Sequence, residues 1–219
     1  MTDEIKAVAR RHLETDGANL SLRAVARDMG MVSSALYRYF ASRDELLTAL
    51  ILDGYNSLGA AVEAADSTVA DRASLRERWR AVTTAVRTWA LASPAEYALL
   101  YGSPVPGYAA PADTVAAAAR SAVVLGQILA DGYAAGTLGR PAAIRPGALP
   151  PGVHADLAAV SAQIAPGIPD ELMLAALAGW IQLFGAVSLE LFGQFNNVIE
   201  ARDEFFATQM ELMAGLIGL

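Results

Sequence analysis

The chain has 219 residues, of which 54% are apolar and 18% charged, with 23 acidic side chains against 16 Lys plus Arg and a formal charge of −7. That balance excludes a disordered chain and leaves room for one large domain or two smaller ones. An acidic total is poorly suited to nucleic acid, which needs cations to displace counterions from phosphate, but the charge is segregated. Residues 1–50 hold seven basic and seven acidic side chains, so the whole −7 falls on residues 51–219, while residues 21–43 hold four Arg against one Asp. Cysteine is absent, which excludes disulfides, thiolate metal sites and a Cys nucleophile. His12 and His154 share no ligand motif, so no metal or other cofactor is expected. The N-terminus, MTDEIKAVARRHLETDG, lacks the apolar core of a signal peptide, and the expected location is the cytoplasm.

In chain order, Ile5, Val8, Ala9, His12 and Leu13 recur at helical spacing over residues 3–16, with Gly17 as a stop. Ser21 is placed to cap a second short helix carrying Leu22, Val25, Ala26 and Met29, which Gly30 ends. Val32, Leu36 and Phe40 then form a stripe on a third, with all three expected in the core. Ser42-Arg43-Asp44-Glu45 reads as a capping box for a longer helix to about Ala64. Residues 74–92 carry Leu75, Trp79, Val82, Val86 and Trp89 at spacings of three and four, with Ser74 and Glu77 as another possible capping box. Pro94 starts a short helix ending near Tyr101, and residues 102–110 are a Gly- and Pro-rich loop. Residues 111–135 are Ala-rich and helical. Residues 136–152, with four Pro and four Gly, are expected to be a long loop. Helices over 153–164, 169–193 and 197–216 close the chain, with Asn197 and Glu200 placed to cap the last. No segment alternates with period two, so the fold class is all-α: three N-terminal helices and a larger C-terminal helical bundle that dimerises.

The three short helices and the tight Gly30-Met31-Val32 turn have helix-turn-helix dimensions. With Leu36 and Phe40 turned inward, Ser33, Ser34, Tyr37 and Arg38 point outward. Small hydroxyl residues beside an exposed Tyr suit a helix that approaches a major groove closely. Arg23, Arg27 and Arg43 surround that face. The plain alternative is an ordinary helical start whose arginines only solvate a surface. The run from Leu22 to Leu47 goes further. An apolar-Ala-x-x-x-Gly turn, the pair Leu36-Tyr37, the pair Tyr39-Phe40, and Arg43 before Glu45-Leu46-Leu47 resemble the DNA-binding domain of TetR-family transcriptional regulators. The resemblance spans about 45 residues. It implies that Ser33, Ser34 and Ala35 touch base edges, that Tyr37 contacts phosphate or base, and that Tyr39 and Arg43 bond phosphate; Arg38, outward by the helical wheel, is expected at the same DNA-binding face. Arg23 falls where some members read a base. Val32 stands where a capping Ser is usual, leaving open whether the recognition helix starts at Val32 or Ser33, and Ala35 replaces a common Thr. The expected division is a reading head over 1–46 and an effector-binding and dimerisation domain over 47–219. The expected partners are a palindromic double-stranded DNA operator read by a homodimer and a small-molecule effector. Repressor is the favoured role.

Residues 172–189 form an 18-residue run without charge, at the lower edge of a membrane span. Gln182, Ser188, Glu190 and the lack of flanking cations argue instead for a helix buried between its own core and a second subunit. The closing helix packs beside it, which expects Leu183, Val187, Glu190, Phe205, Phe206, Met210 and Met213 at a four-helix dimer interface. The resemblance agrees, and residues 179–193 look like a C-terminal type found in many actinobacterial members. It also places effector cavities in helices that here carry Trp89, Tyr97, Tyr101, Trp180 and Phe184. Their surroundings are apolar and poor in cations, which favours a hydrophobic or aromatic ligand. An enzyme is not expected, because no nucleophile–base pair, metal cluster or phosphate loop is present. The competing function is a membrane-associated or scaffolding helical protein, which a gel shift on promoter DNA would separate.

Overall fold

A computed structural model describes residues 1–16, 20–139 and 149–219. Gly17 and residues 140–148 of the expected long loop lie outside the described residues. The described residues form α1 (Thr2–Asp16), α2 (Leu22–Asp28), α3 (Ser33–Leu36), α4 (Arg43–Thr68), α5 (Leu75–Ala92), α6 (Pro94–Tyr101), α7 (Thr114–Ala135), α8 (Pro151–Ile164), α9 (Asp170–Leu191) and α10 (Arg202–Ile217), with no strand among them. The all-α class is therefore as expected.

Local chemistry explains where these boundaries fall. The Ser21 hydroxyl accepts the Ala24 amide at the start of α2. Ser42 Oγ accepts the Glu45 amide at the start of α4, while the Glu45 carboxylate takes the Ala41 amide rather than that of Ser42. Three expectations fail. Val32 is 71% exposed rather than in the core, because it sits in extended backbone before α3 and makes no cap bond. The Ser74 hydroxyl donates to Asp71 instead of capping Glu77. Asp71 also accepts the Ala73 amide, so the turn before α5 is closed from its other side. Neither Asn197 nor Glu200 caps α10. Asn197 adopts a left-handed φ of 61°, and the helix begins only at Arg202, after Ala201, with no side-chain cap.

The chain divides into two compact units. One comprises residues 1–58 and 90–118. Its core gathers Ile5, Val25, Leu36, Phe40, Leu46 and Leu50 from α1 to α4. Lys6 and Arg10 of α1 both reach Asp53 of α4, and Arg10 also reaches Glu96 of α6. The other unit comprises residues 59–89 and 119–219. There α9 packs against α8 and α10. Arg78, fully buried, is held by Asp66 of α4 and Asp131 of α7 at 2.8 and 2.6 Å. Arg87 makes a two-pronged pair with buried Glu190 at 2.7 Å and reaches Asp203. Its charge is strengthened chiefly by the Glu190 hydrogen bond, against the opposing cost of burial.

Candidate nucleic-acid interface and ligand cavity

The turn between α2 and α3 is built from backbone. The Met31 amide bonds the Ala26 carbonyl at 2.9 Å, and the Gly30 amide bonds the Arg27 carbonyl at 3.0 Å. This pair of bonds closes the helix end and needs a left-handed residue after the cap. Gly30 supplies it with φ 66° at no steric cost. Helix α3 is a single turn starting at Ser33, too short to hold itself. Fully buried Leu36 and nearly buried Phe40 pin it, each worth about 2 kcal/mol of apolar burial. Bonds from the Tyr39 and Phe40 amides to the Leu36 carbonyl carry the helical turn on to Phe40.

That anchoring leaves one face outward. Ser34, Tyr37, Arg38 and Tyr39 are exposed, as are Arg23 and Arg27 on α2, while Ser33 and Ala35 are half-buried. All belong to the same unit. Among the described residues, Arg23 and Arg38 form no ion pair, and Arg27 meets only Asp28, at 3.7 Å and 79% exposed. These guanidinium groups are free to meet phosphate or base edges. Arg43 differs: its Nε donates to the Leu20 carbonyl at 3.2 Å, tying the start of α4 to the entry of α2. Its remaining donors lie on a half-buried side chain.

The five residues expected around a ligand fall in separate places. Tyr97 and Tyr101 stack at 5.1 Å, with Tyr55 edge-on to Tyr101 at 6.2 Å, all in the unit that carries the helix-turn-helix. Burial, reinforced by Tyr108, pushes the Tyr55 phenol above its ordinary range. Trp89 is buried. Trp180 and Phe184 pack together at 4.8 Å in the other unit, where Trp180 lines a cavity of about 200 Å³. The rest of its wall includes Trp79 of α5, Leu125 of α7, Ile164 of α8, Met173 of α9 and Ile217 of α10. Sequence reasoning missed the α7 and α8 walls. Their signal is an apolar stripe at helical spacing, Ala122, Leu125, Gly126 and Leu129, which looks the same as ordinary core.

The residues expected at a dimer interface are mostly buried in the chain's own core: Leu183 and Val187 fully, Met210, Phe206 and Glu190 nearly so. Phe205 and Met213 are half-buried. The large apolar residues left outward on these helices are Ile181, Leu189, Leu212 and Leu216, at 64%, 46%, 55% and 38% exposure.

Residues 5–50 match the family model for bacterial regulatory proteins of the tetR family, and residues 79–213 match a tetracyclin repressor-like C-terminal domain. The chain is 43% identical to the HTH-type transcriptional regulator Rv1816 of Mycobacterium tuberculosis H37Rv, over 98% of this chain and 91% of that one. Among solved structures, the putative regulatory protein SCO4313 is 35% identical, with a TM-score of 0.75 over 98% of this chain and 95% of that one. A Rhodococcus sp. RHA1 protein of unknown function is 27% identical, with a TM-score of 0.70 over 99% and 95%.

Proposed function

From the premise that this chain belongs to the TetR family of helix-turn-helix transcriptional regulators, we propose that it is a cytoplasmic repressor. In this reading it binds a palindromic operator as a homodimer and is released by a small, largely hydrophobic effector. The observation that carries the DNA half is the exposed, uncommitted Arg23 and Arg38 beside the outward Ser34-Tyr37-Tyr39 face. The apolar cavity on α5 and α7–α10 supports the effector half. Residues 1–46 serve as the reading head and 47–219 as the effector and dimer body. Ser33, Ser34 and Ala35 approach base edges, with Tyr37, Tyr39 and Arg38 on the adjoining backbone. The second subunit covers Ile181, Leu189, Leu212 and Leu216, since a soluble dimer has reason to leave these outward and bury them by association. Two heads are needed because one head buries too little for operator affinity and a two-fold pair sets half-site spacing.

Release is a population shift. The effector binds better to the arrangement whose heads are wrongly spaced, with a coupling of roughly 1–3 kcal/mol. Helix α4, which runs from the head into the body, is the element to carry it. Among the described residues, two helices, α7 and α9, are long and apolar enough to cross a membrane by length and composition. The similar solved structure SCO4313 nevertheless covers nearly all of this chain with the same fold, which supports α9 as a body helix. Selection on random DNA, followed by gel shift, tests the reading. A two-fold symmetric consensus bound with an affinity that falls as salt rises supports it. Binding with no sequence preference, or to asymmetric single sites, overturns it.

A further inference from the structure

The cavity has an uneven chemistry. It is bounded by Ala, Gly, Val, Leu, Ile, Met and Trp residues, with no ionisable or hydroxyl side chain among the described residues that line it. Two of its wall residues are indoles, and they differ. Trp79 donates its Nε1–H to the Met210 carbonyl at 2.8 Å, linking α5 to α10. Trp180 Nε1 is buried and, among the described residues, is the side-chain nitrogen or oxygen left without a hydrogen-bond partner. An indole nitrogen can only donate. A buried donor without an acceptor is an exception that asks for a physical account. A cavity this apolar does not hold water well, since a water needs two to four polar partners.

Resting on the effector reading above, we infer that the cavity takes an uncharged, mostly hydrocarbon ligand bearing one hydrogen-bond acceptor, such as a ketone, ester or ether oxygen, and that the Trp180 indole turns its enclosed Nε1 onto that acceptor when the ligand enters. An anion is excluded by the same wall, because a buried carboxylate with no cation and one donor pays a large desolvation cost. A cation finds no acidic side chain on the same wall. Size follows from volume: a dry cavity of about 150 Å³ accommodates benzene, so about 200 Å³ accommodates roughly eight non-hydrogen atoms.

The test uses three probes of equal heavy-atom count: heptan-2-one, 2-methylheptane and hexanoate, titrated into the full chain and into Trp180→Phe. Comparing each probe across the two proteins cancels its own hydration cost. Loss of one neutral hydrogen bond corresponds to roughly fivefold in affinity, so Trp180→Phe weakens heptan-2-one about fivefold and leaves 2-methylheptane within twofold. Hexanoate at neutral pH shows no saturable binding. On 15N-labelled native protein, heptan-2-one moves the Trp180 indole resonance and leaves that of Trp79 in place, which holds even if Trp180→Phe folds poorly. Equal weakening of ketone and alkane, an unmoved Trp180 resonance, or hexanoate binding as tight as the ketone overturns the inference. Ketone binding of this pattern without release of operator DNA leaves the inference standing and removes the effector reading. Operator binding by a protein that takes up none of the three probes removes the inference alone.

Discussion

In the unit that carries the helix-turn-helix, Arg11, Arg23 and Arg38 are exposed and hold no carboxylate among the described residues. In the other unit Arg72, Arg76, Arg78, Arg80, Arg87 and Arg120 each meet an Asp or Glu. One residue type thus does two jobs. Where carboxylates are scarce, as in residues 21–43 with one Asp for four Arg, the charge stays available to a polyanion. Where they abound, the charge is consumed in holding helices together. Lys6 and Arg10 show that the rule follows local chemistry rather than the unit: both sit on α1, and both are spent on Asp53. The −7 total is therefore compatible with DNA binding, because six body arginines are held by carboxylates while Arg23 and Arg38 of the head are not, among the described residues.

The sharpest way to break this comparison is Arg78→Met. Arg78 is fully buried between Asp66 and Asp131, and removing it leaves Asp131 without its cation and Asp66 with Arg72 alone. Stripping one partner from a buried pair costs about 3–5 kcal/mol; Asp131 is 38% exposed, which favours about 3. Urea denaturation measures it, and a loss below 1 kcal/mol refutes the structural role. The pH dependence has a definite sign. Burial pushes the Asp66 carboxyl up, but hydrogen bonds from Arg78 and Arg72 outweigh it and hold the carboxyl below its ordinary value. That stabilisation is complete above the unfolded value, about pH 4, and fades as pH falls through the lower folded value. In Arg78→Met the acid-induced loss below about pH 4 shrinks.

Much of this was legible in the sequence, and the reasons for the rest are physical. The turn at Gly30 and the inward Leu36 and Phe40 follow from spacing and from glycine's tolerance of positive φ. A wheel turns Val32 inward because it extends helical geometry one residue past the true start at Ser33. Asn197 is a good cap by type, yet its left-handed backbone puts it in the preceding turn. The ion pairs Arg78–Asp131 and Arg87–Glu190 join residues 53 and 103 positions apart, which no local pattern reports. An α9 that is apolar on nearly every side reads as interface at Leu183 and Val187; only packing reveals which side the chain covers itself.

Next in size is Ile181→Glu, which tests whether two heads are needed. Ile181 is 64% exposed, so a charge there leaves the monomer folded but penalises burial against a second subunit. Operator affinity should fall roughly 100-fold, about 2.7 kcal/mol, with sedimentation showing a shift to monomer and little change in melting. A dimer that survives with full affinity places the interface elsewhere. A smaller effect is expected of Arg38→Ala, about tenfold in operator affinity with unchanged thermal stability, and with the salt slope reduced by about one if its partner is phosphate. Melting that drops by several degrees would show that Arg38 is held in the fold after all.

The smallest expected effect is the most pointed, because it asks what the exposed pairs of the body are for. Arg120 meets Glu63 through two hydrogen bonds at 2.8 and 2.7 Å, with side chains 30% and 45% exposed. The Arg120 side chain also covers Gly59, so its stem stays in place when the carboxylate is changed. Exposed pairs of this kind contribute between zero and about 1 kcal/mol, and Glu63→Gln should lower stability by less than about 0.5. If pairing serves mainly to keep body cations from DNA, loss of this carboxylate should raise affinity for random duplex DNA by up to about twofold at low salt, and the gain should vanish as salt screens it. Operator specificity then falls slightly with no change in operator contacts. A stability loss above 1 kcal/mol, with random-DNA affinity unmoved, would mean that Glu63 serves the fold and that the body's acidity has no bearing on where the protein adheres.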